Sequence, residues 1–157
     1  METAGQVIHM PVAGLKARHK TGGGPYAYTR KDFVKRGQAH RCVVSVYEIP
    51  PGKSAYPYHY HCQSEEVFYI LGGSGTLRTP EGERPVAAGE LLFFPAGAGG
   101  AHKLTNHGQE PLVYIDFDTA QALDAAVYPD SGKIGLWGMG VNQVFRQGDA
   151  VDYYEGE

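Results

Sequence analysis

The 157-residue sequence predicts an all-β fold, one antiparallel barrel or sandwich, on three observations. Glycine and proline are abundant, at 22 and 10 residues, which is the composition of many short strands joined by tight turns. Apolar residues at helical spacing over a helix-length window are nearly absent. β-Branched and aromatic runs instead recur about every 8 to 12 residues, with Gly, Pro and Asn between them, the rhythm of a sandwich or barrel. A chain of this length makes one domain with a substantial core. A jelly-roll arrangement would leave few strand edges unpaired and keep a cavity between its sheets.

Taken in order, residues 1–40 read as an N-terminal arm. Residues 6–10 suit a short edge strand ended by Pro11, residues 21–25 (Thr-Gly-Gly-Gly-Pro) a flexible loop, and residues 26–36 mix aromatic and basic side chains. A loosely packed tail is an equal alternative for this part. The first strong strand is 42–49, rich in valine and stopped by Pro50-Pro51-Gly52. Strands follow at 67–71, 76–79, 84–87, 91–94, 102–106 and 112–117. Gly72-Gly73-Ser74-Gly75, Pro80-Glu81-Gly82-Glu83, Pro95 and His107-Gly108-Gln109-Glu110-Pro111 punctuate them. On 112–117, Val113, Ile115 and Phe117 share one face and read as core. Tyr114 and Asp116 share the other, which suits either a cavity wall or an exposed polar surface. Residues 119–126 are the one plausible helical turn, with Thr119 as N-cap, although the segment is short for a stable helix. A glycine-rich tail with Trp137 and Phe145 completes the chain. The expected division is an arm at 1–40, a barrel core at 41–118 and a C-terminal extension at 119–157 packed on the barrel.

The chemistry concentrates between Pro51 and Asn106. His59 and His61 stand at i and i+2, so on an extended segment both imidazoles point to the same side. Glu65 and Glu66 follow, and alternation sends only one of them inward. The framing residues read Gly52-x6-His59-x-His61-x4-Glu66-x6-Gly73, and later Gly89-x5-Pro95-x-Gly97-x4-His102-x3-Asn106.

These two stretches, in this order, resemble the two signature motifs of the cupin superfamily. The first carries one extra residue before His59, and the second a longer glycine-rich link before His102. Both differences fall in turn-like sequence, where length changes are best tolerated. The resemblance implies a double-stranded β-helix, the antiparallel jelly-roll barrel. It also implies one divalent metal held by His59, His61, Glu66 and His102, the six-residue spacing to Gly73 selecting Glu66 over Glu65. Three imidazoles and a carboxylate suit Zn, Fe, Mn, Co, Ni or Cu. Positions left open on such an ion permit Lewis-acid or oxygen chemistry in a partly apolar cavity lined by residues such as Phe68 and Ile70. Cupins use an N-terminal arm to cover a sheet or to pair with a second copy, so the resemblance implies a homodimer. The run Tyr-Pro-Asp-Ser-Gly-Lys after the barrel is similar to a bacterial branch of single-domain cupins.

Other residues carry less. Cys62, next to His61, should face away from the ligands as a buried small apolar residue. Tyr56, Tyr58 and Tyr60 should project opposite the two histidines if strand register holds there. His107 reads as a surface residue, and His9, His19 and His40 show no spacing logic. A formal charge of −3 with no basic patch argues against nucleic acid as a partner. No apolar run approaches the roughly 18 residues of a membrane span, and no signal peptide is legible. Two cysteines make no disulfide framework, so a reducing cytoplasm is the expected home. The expected function is a small metalloenzyme acting on a small oxygen-rich molecule by oxidation or isomerisation. The alternative is a metal-dependent binding or sensor module that turns nothing over.

Overall fold

The computed structural model of the chain describes residues 6–157. Thirteen strands and three short 3-10 turns make up its regular structure. The strands are, in chain order, β1 (Ala17–Gly23), β2 (Tyr26–Val34), β3 (Cys42–Ile49), β4 (Tyr60–His61), β5 (Glu66–Gly72), β6 (Ser74–Thr79) and β7 (Gly82–Ala87). After them come β8 (Leu91–Phe94), β9 (Lys103–Thr105), β10 (Leu112–Thr119), β11 (Leu123–Tyr128), β12 (Lys133–Gly138) and β13 (Val141–Arg146). All pairings between these strands are antiparallel, as a jelly roll requires. One sheet runs β1-β2-β3-β10-β5-β8, a second β13-β12-β11-β4 and a third β7-β6-β9. Among the described residues no helix is long and apolar enough to cross a membrane.

The core lies on the inward face of the large sheet and against the small one. Tyr47, Ile49, Phe68, Ile70, Leu104, Leu112 and Tyr114 are among its buried members. Strict alternation on β5 produces this: Glu66, Phe68 and Ile70 are buried while Tyr69 and Leu71 face out. Asn106 closes the corner before β10. Its Nδ2 donates to the carbonyls of Ile49 and Glu110, both at 2.8 Å, and its Oδ1 accepts from Gly108 N–H at 2.8 Å. Every polar group of this fully buried side chain is thereby used in the fold.

Several sequence expectations need correction. Residues 6–10 form no strand, and among the described residues the first strand starts at Ala17. Residues 21–25 are not a loop throughout: Thr21 and Gly23 pair with Ala27 and Tyr26, and Gly24, at φ +54°, and Pro25 make the turn. Residues 119–126 contain no helix. Leu123–Tyr128 is a strand, held on one side by β12 and on the other by β4, so two ladders override a marginal helical propensity.

On β10 the faces are reversed. Leu112, Tyr114 and Asp116 point inward and are buried, whereas Phe117 is 43% exposed and Val113 and Ile115 are half-buried. The polar face of this strand is the interior one because it backs onto the site described next.

Candidate functional site

Three separate stretches of chain bring the site together. The first two meet where His59 and His102 pair as an antiparallel bridge, His59 N–H donating to the His102 carbonyl at 3.1 Å and receiving the reverse bond at 2.9 Å. His61 sits on β4, whose two residues pair with Val127 and Ala126 of β11. Glu66 opens β5 on its inward face.

Each imidazole is fixed by its Nδ1. His59 Nδ1 donates to the Pro57 carbonyl at 2.9 Å, and His102 Nδ1 to the Gly100 carbonyl at 2.9 Å. His61 Nδ1 donates to Asp124 Oδ2 at 2.7 Å. Carbonyl and carboxylate oxygens only accept, so Nδ1 carries the proton in all three rings, and in a neutral ring the lone pair is at Nε2. Two of those nitrogens adjoin Glu66: His61 Nε2 lies 3.6 Å from Oε1 and His102 Nε2 3.3 Å from Oε2. Ligand atoms of His59, His61 and Glu66 all fall within 4.8 Å of one another, and His102 stands beside this group, its contact being with Glu66. Glu65 is exposed and takes no part.

The glycine-rich link before His102 has a structural reason. Gly97 N–H donates to the His61 carbonyl at 2.7 Å, and Ala98–Gly100 form a 3-10 turn whose last carbonyl anchors His102. A Cβ on Gly100 would lie 1.9 Å from the Pro95 carbonyl oxygen, so no other residue fits this approach. The His102 ring also stacks on Phe94, with centroids 3.6 Å apart, and Tyr128 stacks on His59 at 5.8 Å.

Burial shapes the electrostatics. It pulls His59 down to about 4, with the neighbouring His61 adding to the effect, and it holds His102 well below the ordinary imidazole value. Burial also lowers His61, but the Asp124 hydrogen bond and the charge of Glu66 outweigh it and the pKa is raised. Glu66 is pushed up to about 8, by burial first and by Asp118 next. Neutral rings with inward lone pairs beside one carboxylate are the donor set that a divalent transition metal uses. His59, His61 and Glu66 therefore fit such an ion, with His102 beside Glu66, and each imidazole has the outer hydrogen bond that orients a metal ligand. His61 has a 19% exposed side chain and marks the side open to solvent.

Sequence reasoning missed Asp124, which lies inside the segment expected to be helical. Its burial shows only once β11 pairs with β4. Cys62 is exposed, contrary to expectation, because the chain turns outward directly after β4; Cys42 is exposed and free as well. Tyr56 does not point away from the histidines. Residues 55–58 lie outside any strand, so alternation does not reach it, and its ring lies 6.1 Å from that of His59. The Tyr56 hydroxyl contacts those of Tyr47 at 2.9 Å and Tyr28 at 3.1 Å. Tyr58 is buried under the Arg78 guanidinium, 3.9 Å from its ring centre.

A sequence model of the cupin domain matches residues 45–118. No curated protein matches the chain. Among solved structures, the chain is similar to a candidate sugar phosphate isomerase from Acidithiobacillus ferrooxidans, with 28% identity over 92% of this chain and 93% of that one, and a TM-score of 0.75. It is also similar to a sugar phosphate isomerase of the cupin superfamily from Silicibacter pomeroyi, with 18% identity over 94% and 98% of the two chains, and a TM-score of 0.81. A predicted oxalate decarboxylase from Thermotoga maritima shares 19% identity over 73% and 100%, with a TM-score of 0.63. The last two likenesses speak for the fold alone.

Proposed function

The chain is a member of the cupin superfamily through residues 45–118, and from that premise we propose a metalloenzyme that isomerises a small phosphorylated sugar or keto compound. The observation that carries this reading is the outer fixing of three imidazoles through Nδ1, with His59, His61 and Glu66 grouped within 4.8 Å and His102 Nε2 3.3 Å from Glu66. His59, His61, Glu66 and His102 would hold one divalent transition metal, which when bound supplies Lewis-acid polarisation of a substrate oxygen. The chain's own residues orient and enclose. Phe94 and Tyr128 wall the rings of His102 and His59, and Asp124 holds His61 at the open side. Lys133 places a cation 5.7 Å from the Tyr128 ring centre, on the same wall, where a substrate phosphate would find a counter-charge. The 28% identical likeness, spanning nearly all of both chains, puts isomerisation ahead of oxidation.

A second reading, binding without turnover, is favoured by one observation. The space beside His59, His102, Phe68 and Tyr114 is about 10 Å³, room for about one water and not for a substrate. The test is incubation of zinc-, manganese- and iron-loaded protein with aldose and ketose phosphates in D2O, followed by NMR. Interconversion with deuterium at the carbon next to the carbonyl is the expected result. Sugar phosphates that raise the melting temperature with no interconversion would put the binding module in its place, and substrate-dependent oxygen uptake by the iron form would move the reading to oxidation.

We further propose that the protein works as a homodimer through the outward face of β5, β8 and β10. Phe117, Val67 and Phe93 form one cross-strand row there, and Ile115, Tyr69 and Leu91 the next. Leu91 is 71% and Phe93 61% exposed, an apolar surface of the kind that marks an interface.

A further inference from the structure

Behind Glu66 lies a second group of carboxylates that the histidine set does not use. Asp116 and Asp118 stand two apart on β10 and so project to the same inward side, and Asp118 is directly opposite Glu66 in the register with β5. Ligand-capable oxygens of Glu66, Asp116 and Asp118 all lie within 4.8 Å of one another. Asp116 is 6% exposed. Its Oδ1, like Oδ1 of Asp118, is buried with no hydrogen-bond partner among the described residues. Arg30, the positive charge that bears on Asp116, is already held by Asp32 Oδ1 at 2.5 Å and Ser45 Oγ at 3.2 Å.

Three carboxylates this close cannot all stay ionised without a counter-charge. Asp118 reaches both Glu66 and Asp116, so shared protons relieve those two contacts, yet Oδ1 of Asp116 and Oδ1 of Asp118 stay without a partner. One monatomic cation meets the charge and the orphaned oxygens together.

We propose that Glu66, Asp116 and Asp118 form a second cation site, which takes a hard divalent ion such as Ca2+, Mg2+ or Mn2+ and shares Glu66 with the histidine set. All-oxygen donors select such ions, whereas the three imidazoles select a softer transition metal, so the two sites are sorted by donor type. The shared carboxylate then couples them. Charge on one ion is balanced by the same group that orients the other.

The test is titration calorimetry of chelator-stripped protein with Ca2+ or Mn2+, before and after reloading with one equivalent of zinc. One further equivalent of Ca2+ or Mn2+ on the zinc-loaded wild type is expected. Asp116→Asn, isosteric and folded by its melting transition, should keep its zinc and weaken Ca2+ at least tenfold; Asp118→Asn should do the same and serves as the second variant. Wild type that takes up neither Ca2+ nor Mn2+ would overturn the proposal, as would undiminished Ca2+ binding in both variants. Zinc content reports separately on the histidine set. Failure to hold zinc with Ca2+ binding retained would sink the reading of that set and leave this one standing.

Discussion

Asp124 accepts a hydrogen bond from His61 Nδ1 at 2.7 Å across 63 residues of sequence. Its other oxygen accepts from Gln63 N–H at 3.0 Å, so one buried carboxylate fixes both the ring and the backbone that follows it. Burial is the largest single effect and works against that charge. The hydrogen bonds from His61 and the Gln63 N–H, with the His61 charge, together outweigh it and hold the Asp124 carboxyl below its ordinary range. Asp124→Ala should therefore weaken zinc about 10- to 100-fold, the usual effect of losing an outer-sphere partner, without removing a ligand. Competition against a chromophoric chelator would measure it. An unchanged zinc affinity would mean that His61 does not ligate through Nε2.

His102→Ala is expected to abolish stoichiometric metal binding and leave a folded barrel. The ring is one of the four proposed donors, while the backbone bridge to His59 and the core of Phe68, Ile70, Leu104 and Leu112 do not depend on it. Losing the contact with Phe94 should cost about 1–3 kcal/mol. Metal content and thermal melting, measured side by side, decide the matter, and an unfolded variant would point to a metal that serves the fold.

The metal-free protein should be most stable at mildly acidic pH. Below the ordinary imidazole value of 6.5, the unfolded chain takes up protons that His59, lowered to about 4, and His102 refuse, so stability falls toward acid. For His59 alone the loss is about 3 kcal/mol between pH 6.5 and 4. Glu66, raised to about 8, and Asp116, also raised, run the other way, since the folded chain keeps protons that the unfolded one releases above pH 4.5. His61, raised above 6.5, adds stability that is present below 6.5 and lost as pH rises through its folded value. The opposing slopes nearly cancel between about pH 4.5 and 6.5, and above 6.5 stability declines. Zinc should reverse the alkaline trend, because its ligands must be deprotonated. Melting curves from pH 5 to 9, with and without zinc, check both signs; a metal-free protein that gains stability from pH 6.5 to 8 would contradict the burial of Glu66.

Leu91→Glu with Phe93→Glu should yield a folded monomer. Both side chains are exposed on β8, so folding loses little, while two charges on each copy would face each other across the proposed interface. Sedimentation of wild type and variant at matched concentrations gives the answer. Wild type that sediments as a monomer at micromolar concentration would end the dimer reading.

Period two is legible in the residues themselves. It determines that Glu66, Phe68 and Ile70 share a face of β5 and that Glu65 does not, because side chains alternate wherever a strand is regular. The bounds of β3 and β8 are equally plain, since Pro50 and Pro95 stop strands that valine and aromatic residues already mark. The face of β10 that turns inward is not legible. Both of its faces carry large side chains, and hydrophobicity alone sends Val113, Ile115 and Phe117 to the core. Tertiary structure reverses them, because an interior that holds three histidines also accommodates Tyr114, Asp116 and Asp118, and the opposite face is left for solvent or a partner. Residues 119–126 fail for a related reason. Their propensity is weak in every state, and the ladders from β4 and β12 decide the outcome. Asp124 reaches His61 only through that pairing, so no spacing rule along the chain could have joined them.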